Sequence, residues 1–309
     1  MGLGEIVALS ASLAWALGVN VYGDLSKKYS PAVINFNRAI VAFPLFLLAF
    51  LISTLLKDGT LESFFVVTGT DIFWLLMSCV ASYALGDLLF FKSVDSPLQV
   101  TGALAIASTY PLWSALTGVI FFGQKLNVFS IVGLLIVVSG TIGVIIFSRK
   151  SEHARALSKR DQKSKRKLVL AALLAFCVSL FWSFNIFSIN KVRHLDSFIS
   201  NAYRLGFAIL LCPLVAKIVL GSGKVKMSKK DFLATLPMFI FEGFGGSLCY
   251  VYGLSHTTLA VGAVLTSLSP VLSVPIYAFR HREKPEFRKT AAIVFVVIGL
   301  VLLVVFDGF

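Results

Sequence analysis

The sequence predicts an all-α polytopic membrane protein whose ten transmembrane helices form two inverted five-helix repeats. Three observations support this fold class. The 309 residues are 57% hydrophobic and only 14% charged, whereas a soluble domain carries roughly 25% charged residues. Apolar runs of about 20 residues, long enough to cross a bilayer, recur along the chain. The third observation is an internal duplication of the whole pattern.

The boundaries of the predicted spans follow from the polar connections between the apolar runs. The spans are residues 3–24, 32–55, 72–92, 97–121, 127–147, 168–190, 197–220, 233–254, 258–279 and 287–306. The chain then divides into a first repeat at 1–147, a basic linker at 148–167 and a second repeat at 168–309. The first apolar run has no basic n-region and no small-residue cleavage motif, so we expect a membrane span there rather than a removed signal peptide.

The duplication is visible in residues that recur in the same order in both repeats. The matched pairs are Trp15 and Trp182, Arg38 and Arg204, Pro111 and Pro270, and Gln124 and Glu283. Each predicted repeat has five spans, which is an odd number, so the second repeat enters the membrane from the opposite side. Such inverted repeats are the architecture of many secondary transporters.

The basic residues predict the orientation of the chain. The net charge of +13 could suggest a nucleic-acid partner, but most of the 28 Lys and Arg residues lie in the connections between apolar runs, where membrane topology accounts for them. Their bias predicts a cell-membrane protein with a cytoplasmic 148–167 loop and both termini on the non-cytoplasmic side. Only Lys57, Lys125, Lys191 and Arg193 fall in connections on that other side.

No metal or cofactor is expected from the sequence. The four cysteines all lie within apolar runs and have no CxxC spacing, which argues against a disulfide framework or a zinc site. None of the four histidines lies in the middle of a span, and the chain carries no nucleotide-binding motif.

Charged residues within the spans are the leading functional candidates, because each costs at least roughly 2.5–3.5 kcal/mol to insert. Glu242 lies near the middle of its span beside Gly243. Its depth matches that of Arg204 on the preceding antiparallel span, which predicts an ion pair between them. Arg38 and Asp87 are similarly placed in the first repeat and form a second predicted pair. These pairs could be structural clamps, or could bind a charged substrate group or a coupling proton.

Uncharged residues complete the candidate site. Asn20 and Asn185 lie in the first span of each repeat and could line a cavity or hydrogen-bond between helices. Trp15 and Trp182 lie at matched positions away from the span ends, where they could wall a pocket or simply pack. Tyr250, which follows the glycine-rich stretch after Glu242, is the last candidate.

These motifs together resemble the EamA family of the drug/metabolite transporter superfamily. The resemblance is carried by an early Trp followed by Asn, an Arg in the second span, a Pro in the fourth span and a Glu-Lys-type signature at its end. In this sequence these are Trp15 and Asn20, Trp182 and Asn185, Arg38 and Arg204, Pro111 and Pro270, and Gln124-Lys125 and Glu283-Lys284. Gln124 stands where the family has an acidic residue.

The resemblance implies a secondary transporter of small metabolites, often an exporter, which works by alternating access with its substrate between the repeats. Mixed charges near the membrane midplane would suit a zwitterion such as an amino acid. The alternatives are a membrane enzyme acting on a lipid-linked substrate and a non-transport membrane component. The absence of a nucleophile–base pair and of an aqueous catalytic domain predicts that the chain is not an enzyme. The expected partners are a small-molecule substrate and the bilayer, with the chain acting as a monomer or homodimer.

Overall fold

The computed structural model describes residues 2–26, 28–57, 66–94, 99–147, 162–221, 225–281 and 287–306. Within these ranges the chain is helical apart from short connections. Most of the predicted cytoplasmic linker, at 148–161, lies outside the described residues, and so does the Glu283-Lys284 motif.

The helices are named in chain order. They are α1 (Leu3–Ser26), α2 (Pro31–Lys57), α3 (Gly69–Cys79), α4 (Asp87–Val94), α5 (Gln99–Ala107), α6 (Tyr110–Phe122), α7 (Val128–Phe147), α8 (Gln162–Lys191), α9 (Ser197–Leu220), α10 (Lys229–Met238), α11 (Ser247–Ser255), α12 (Leu259–Thr266), α13 (Ser269–His281) and α14 (Phe287–Phe306). Two π-helical segments, π1 (Val80–Gly86) and π2 (Phe239–Gly246), join α3 to α4 and α10 to α11. Helices α1–α7 are called the N-terminal half and α8–α14 the C-terminal half.

The helices are long and apolar enough to make this a multi-pass membrane protein. Eight helical stretches in the described residues could cross a membrane by length and composition, and Leu3–Gly18 and Thr290–Phe306 are shorter apolar helices. Large apolar side chains such as Leu210 and Ile218 are exposed on the outer surface, where a bilayer would cover them.

The end of the predicted linker is helical. The sequence assigns residues 162–167 to the linker because they are polar, whereas the structure includes them in α8, which begins at Gln162. Gln, Lys and Arg are good helix formers. A helix therefore continues past the apolar run that predicts its membrane-spanning part.

The predicted fourth and ninth spans are each divided in two. A short break separates α5 from α6 before Pro111, and another separates α12 from α13 before Pro270. Proline cannot donate a backbone hydrogen bond, and its ring clashes with the carbonyl group of the preceding helical turn. Each proline is therefore the second residue of a new helix, where its missing N–H group would have no partner within the helix.

Contacts between the two halves form most of the interior. Helix α2 packs against α9, α6 against α12, and α7 against α14. Helix α1 packs against π2 and α11 of the C-terminal half, and α8 packs against π1 and α4 of the N-terminal half. The first helix of each half is thus inserted beside the helix of the other half that carries a π-segment.

Glycines bring α7 and α14 into direct backbone contact. A Cβ atom added at Gly133 would lie 2.7 Å from the carbonyl oxygen of Gly299, and one added at Gly299 would lie 2.8 Å from the carbonyl oxygen of Gly133. Both distances are too short for a carbon–oxygen contact, so this crossing requires glycine on both helices.

We predict that Gly299→Ala destabilises the protein by about 1–3 kcal/mol, because the added methyl group overpacks the crossing. The measurement is detergent-solubilised unfolding. Gly143→Ala on α7 is the matched control, since its added carbon would meet Ala292 Cβ at an ordinary 3.5 Å. The control also corrects for the higher helix propensity of alanine. Equal stability of the two variants would contradict the prediction.

Candidate functional site

A buried ion pair joins the two halves of the protein. Nη1 of Arg38, on α2, donates a hydrogen bond to Oε1 of Glu242, on π2, at 2.9 Å. The Glu242 side chain is only 1% exposed. The hydroxyl of Tyr22, on α1, donates to the other carboxylate oxygen at 2.5 Å. Both oxygens of the carboxylate therefore have a donor, as a charge buried away from water requires.

The local structure of π2 allows this close approach. A Cβ atom at Gly243 would lie 2.8 Å from Cγ of Arg38, so glycine leaves the space that the arginine side chain occupies. The segment also contains Gly245 and Gly246, and glycine weakens a regular α-helix by about 1 kcal/mol relative to alanine. A glycine-rich stretch therefore accommodates the wider π-helical turn, a feature that is frequent at functional sites.

Asn35 connects the ion pair to a second carboxylate. Its amide nitrogen donates to Oδ2 of Asp87 at 2.5 Å, and its amide oxygen accepts from Nη2 of Arg38 at 3.2 Å. Asn35 and Arg38 are three residues apart on α2, so their side chains lie on the same face of the helix. Asp87 is thus linked to Arg38 through an amide.

The second arginine binds only neutral acceptors among the described residues. Arg204 is 2% exposed. Its Nε donates to Oγ of Ser78 at 2.8 Å, and its two terminal nitrogens donate to the amide oxygens of Asn201 and Asn185 at 3.3 Å each. The ion pairs found within 4.0 Å in the described part of the chain do not include Arg204. Its positive charge is therefore solvated by dipoles rather than by a carboxylate.

Tyr83, on π1, lies between the two arginines. Its ring centroid is 5.1 Å from the guanidinium carbon of Arg38 and 5.9 Å from that of Arg204. The face of an aromatic ring attracts cations at such distances. Tyr83 therefore contacts both charged groups of the candidate site.

Aromatic side chains surround the Arg204 cluster. The amide nitrogen of Asn185, on α8, donates to the hydroxyl of Tyr250 at 2.7 Å. The Tyr250 ring packs against Trp15 of α1 with their centroids 5.1 Å apart. The indole nitrogen of Trp15 lies close to Gly246 at the end of π2.

Trp182, on α8, is placed beside π1 in the same way as Trp15, on α1, is placed beside π2. Its indole nitrogen lies beside Gly86, at the end of π1. Its ring is 5.7 Å from Phe90 and 5.8 Å from Tyr110, measured between centroids. Each of the two tryptophans thus packs beside the last glycine of a π-segment in the opposite half.

The structure does not test one of the predicted site residues. Asn20 lies on α1, but its side chain is outside the described part of the structure. Within the described residues, no group of three or more His, Cys, Asp or Glu side chains could hold a metal ion.

Comparison with known proteins identifies the family. The model of the EamA-like transporter family matches residues 2–146 and again residues 169–305. The chain belongs to the EamA-like transporter family. An uncharacterized transporter of Archaeoglobus fulgidus is 24% identical, with 96% of each chain covered.

Two further similarities are consistent with this membership. The uncharacterized transporter YetK of Bacillus subtilis is 25% identical over 47% of this chain and 43% of its own length. A solved crystal structure superimposes with a TM-score of 0.76 over 99% of this chain and 98% of that chain, at 15% identity. At that identity the likeness shows the fold alone. Membership of a transporter family fits the expectation that this protein is not an enzyme.

The predicted pairing of the charged residues in this EamA-like transporter is wrong. The sequence pairs Glu242 with Arg204 and Arg38 with Asp87, whereas the structure pairs Glu242 with Arg38 and leaves Asp87 bound to Asn35. Residue counting estimates depth in the membrane but not the direction in which a side chain points around its helix. Segment π2 packs against α2 rather than directly beside Arg204 on α9.

Sequence reasoning missed two residues at the centre of the site. Tyr83 contacts both arginines, and Ser78 accepts from Arg204 while donating to Asn185 at 2.6 Å. Tyr83 precedes Asp87 by four residues, which is a helical spacing and could have indicated a shared face. Ser78 carries no comparable signal, since serine is common in membrane helices.

Gln124 has a structural contact in this EamA-like transporter. Its side-chain oxygen accepts from the backbone nitrogen of Leu259 at 3.0 Å. Leu259 is the first residue of α12, whose first backbone N–H groups have no partner within the helix. A neutral amide oxygen is sufficient for this capping role.

We predict that Arg38→Met and Glu242→Gln are strongly coupled in stability. Arg38→Met alone leaves a buried carboxylate without its partner, which costs about 3–5 kcal/mol. The double variant should recover about 1–3 kcal/mol of that loss. The measurement is a double-mutant cycle of unfolding free energies in detergent.

The matched control is a cycle between Arg204→Met and Glu242→Gln. The hydrogen bonds of Arg204 go to Ser78, Asn201 and Asn185 and not to Glu242, so the two effects should add to within about 0.5 kcal/mol. If Glu242 is coupled more strongly to Arg204 than to Arg38, the pairing that the sequence predicts is correct.

Proposed function

We propose that this protein is a ten-span secondary transporter that moves a small metabolite by alternating access between two inverted five-helix repeats. The observation that carries the proposal is the buried Arg38–Glu242 pair, whose partners come from opposite halves. A change in the relative position of the halves must alter this pair. Two family-model matches, at 2–146 and 169–305, support the repeat.

Irregular helices support the position of the substrate site. Interrupted helices in transporters place polar backbone groups beside the substrate, because such groups are tolerated in a membrane only where they line a cavity or are buried. Here the π-segments and the breaks before Pro111 and Pro270 occur in both halves. The substrate binds between the repeats, beside the residues of π1 and π2.

The charges of the site suit a zwitterionic substrate, with amino acids as the leading class. Among the residues that the structure describes, the acceptors of Arg204 are neutral, so an anionic group can approach it without displacing a protein carboxylate. Asp87 accepts a hydrogen bond from the neutral amide of Asn35, and it is the counterpart for an ammonium group. Trp15, Trp182 and Tyr250 form the aromatic wall of the site.

One chain contains all the parts that this mechanism uses. The site draws on residues of both halves of a single chain, so a monomer is sufficient for transport and a homodimer is compatible with it. The proposed direction of transport is outward, because this is the direction that the family resemblance implies. The charge bias favours a cytoplasmic 148–167 loop with both termini on the other side.

We predict that Glu242→Gln lowers substrate-dependent proton movement at least tenfold in liposomes that contain a lumenal pH dye. The physical reason is that an amide, unlike a carboxyl group, does not exchange a proton near neutral pH. The assay compares wild type with the variant over a panel of amino acids and other small metabolites. Labelled-substrate counterflow measures substrate movement in the same vesicles.

Ser139→Ala is the matched control, since Ser139 is exposed and, within the described part of the chain, its hydroxyl donates to the carbonyl oxygens of Leu135 and Ile136 on its own helix. It should transport like wild type. Wild-type proton movement in Glu242→Gln would make the carboxylate a structural partner of Arg38. No counterflow of any compound by the wild-type protein would contradict the transport proposal itself.

A further inference from the structure

Two aspartates occupy the same local position in the two halves. Asp71 lies in the first turn of α3 after the N-cap Thr68, and Asp231 lies in the first turn of α10 after the N-cap Ser228. In each case the N-cap side chain accepts from the backbone nitrogen of the aspartate. Each N-cap hydroxyl also donates to Oδ2 of that aspartate.

Each aspartate also binds a turn that connects two helices of the opposite half. Oδ1 of Asp231 pairs with Nζ of Lys28 at 3.2 Å, and its Oδ2 accepts from the Tyr29 hydroxyl at 2.8 Å. Lys28 and Tyr29 belong to the turn between α1 and α2. Oδ1 of Asp71 pairs with Nε2 of His194 at 3.3 Å, in the turn between α8 and α9. Helix capping alone does not require these partners.

The two contacts lie at opposite ends of α9. His194 comes just before the first residue of this helix, and Ser228 comes after its last residue, Leu220. A helix of 24 residues is about 36 Å long at 1.5 Å per residue, which exceeds the roughly 30 Å hydrocarbon core. Each contact therefore sits near one surface of the membrane, with the Arg38–Glu242 pair between them.

We propose that these contacts are a pair of latches that close the two sides of the transporter in alternation. The Asp231 latch consists of Asp231, Lys28 and Tyr29, and the Asp71 latch consists of Asp71 and His194. Each joins the two halves at one membrane surface, and movement of the halves that opens one surface must separate the latch there. This inference rests on the proposed function, because latches have a role only if the halves rock around a central site.

The exposure of the latches suits contacts that must break. The side chains of Lys28 and His194 are 62% and 56% exposed. The partner carboxylates of Asp231 and Asp71 are 23% and 7% exposed. A polar contact with one member in water contributes little, and losing it changes a two-state population roughly two- to fivefold. A contact of this strength shifts the population between the open and closed states of one membrane surface, but it is too weak to prevent opening. The buried central pair, by contrast, holds the halves together in this closed arrangement.

The test is hydrogen–deuterium exchange of the purified full-length protein in detergent. One variant combines Lys28→Met with Tyr29→Phe, and the other is His194→Ala. Both leave the aspartates and the N-cap side chains unchanged. Tyr29→Phe also removes the acceptor of the Ser228 backbone N–H, so exchange of the Ser228 amide is left out of the comparison. Lys229→Met is the matched control, because it removes an exposed charge beside the Asp231 latch.

Reciprocal changes are the expected result. The Lys28 and Tyr29 variant should raise exchange about two- to fivefold at 28–30 and 225–231, and lower it at 66–71 and 192–196. His194→Ala should do the reverse, and Lys229→Met should match wild type. Faster exchange at one surface only would make the contacts fixed local clamps, and faster exchange at both would indicate general loosening. Either result would overturn the proposal.

The exchange experiment needs no substrate, so it separates this inference from the transport proposal. Reciprocal exchange in a protein that carries no compound in counterflow would support the latches and reject transport. Transport by a protein whose variants change only one surface would support the function and reject the latches.

Discussion

The buried pair of Arg38 and Glu242 is the interaction on which the rest of the structure depends. A charge inside a membrane protein is costly unless it is paired and hydrogen-bonded. Since the partners come from different halves, neither half can bury its charge alone. Tyr22 and Gly243 serve this pair, one by satisfying the second carboxylate oxygen and the other by making room for the arginine. The pair therefore requires that the two halves interleave.

The packing around this pair combines rigid and irregular elements. Glycine contacts such as Gly133 with Gly299 bring the backbones of α7 and α14 so close that an added Cβ atom would clash. Glu242 lies in a π-helical segment and Asp87 directly follows another, whereas Arg38 and Arg204 lie on continuous helices. Irregular backbone is less able to satisfy its own hydrogen bonds, so it is favoured where a neighbour, a ligand or water can contribute. The fold thus combines close glycine packing between α7 and α14 with irregular backbone near the charged residues.

In the described residues, carboxylate side chains join the two halves at three heights. Arg38 binds Glu242 in the interior, whereas Asp231 and Asp71 bind partners near the two ends of the helices. Neutral hydrogen bonds, such as the one from Ser78 to Asn185, also cross the interface. The remaining contacts are mostly apolar, and apolar contacts have no directional requirement. An interface of this kind can slide with little loss except at its polar contacts. Those contacts therefore define the arrangement that the structure adopts.

The sequence by itself determined the membrane class, the helix positions and the charged residues that a bilayer would not tolerate alone. Apolar length and the spacing of polar connections are local properties, so α9 and α14 begin and end at the predicted residues. Only the tertiary structure decided that Glu242 binds Arg38 and that Tyr83 lies between the arginines. Pairing depends on how each helix is rotated and which helix lies beside it, and the packing of the other half sets both.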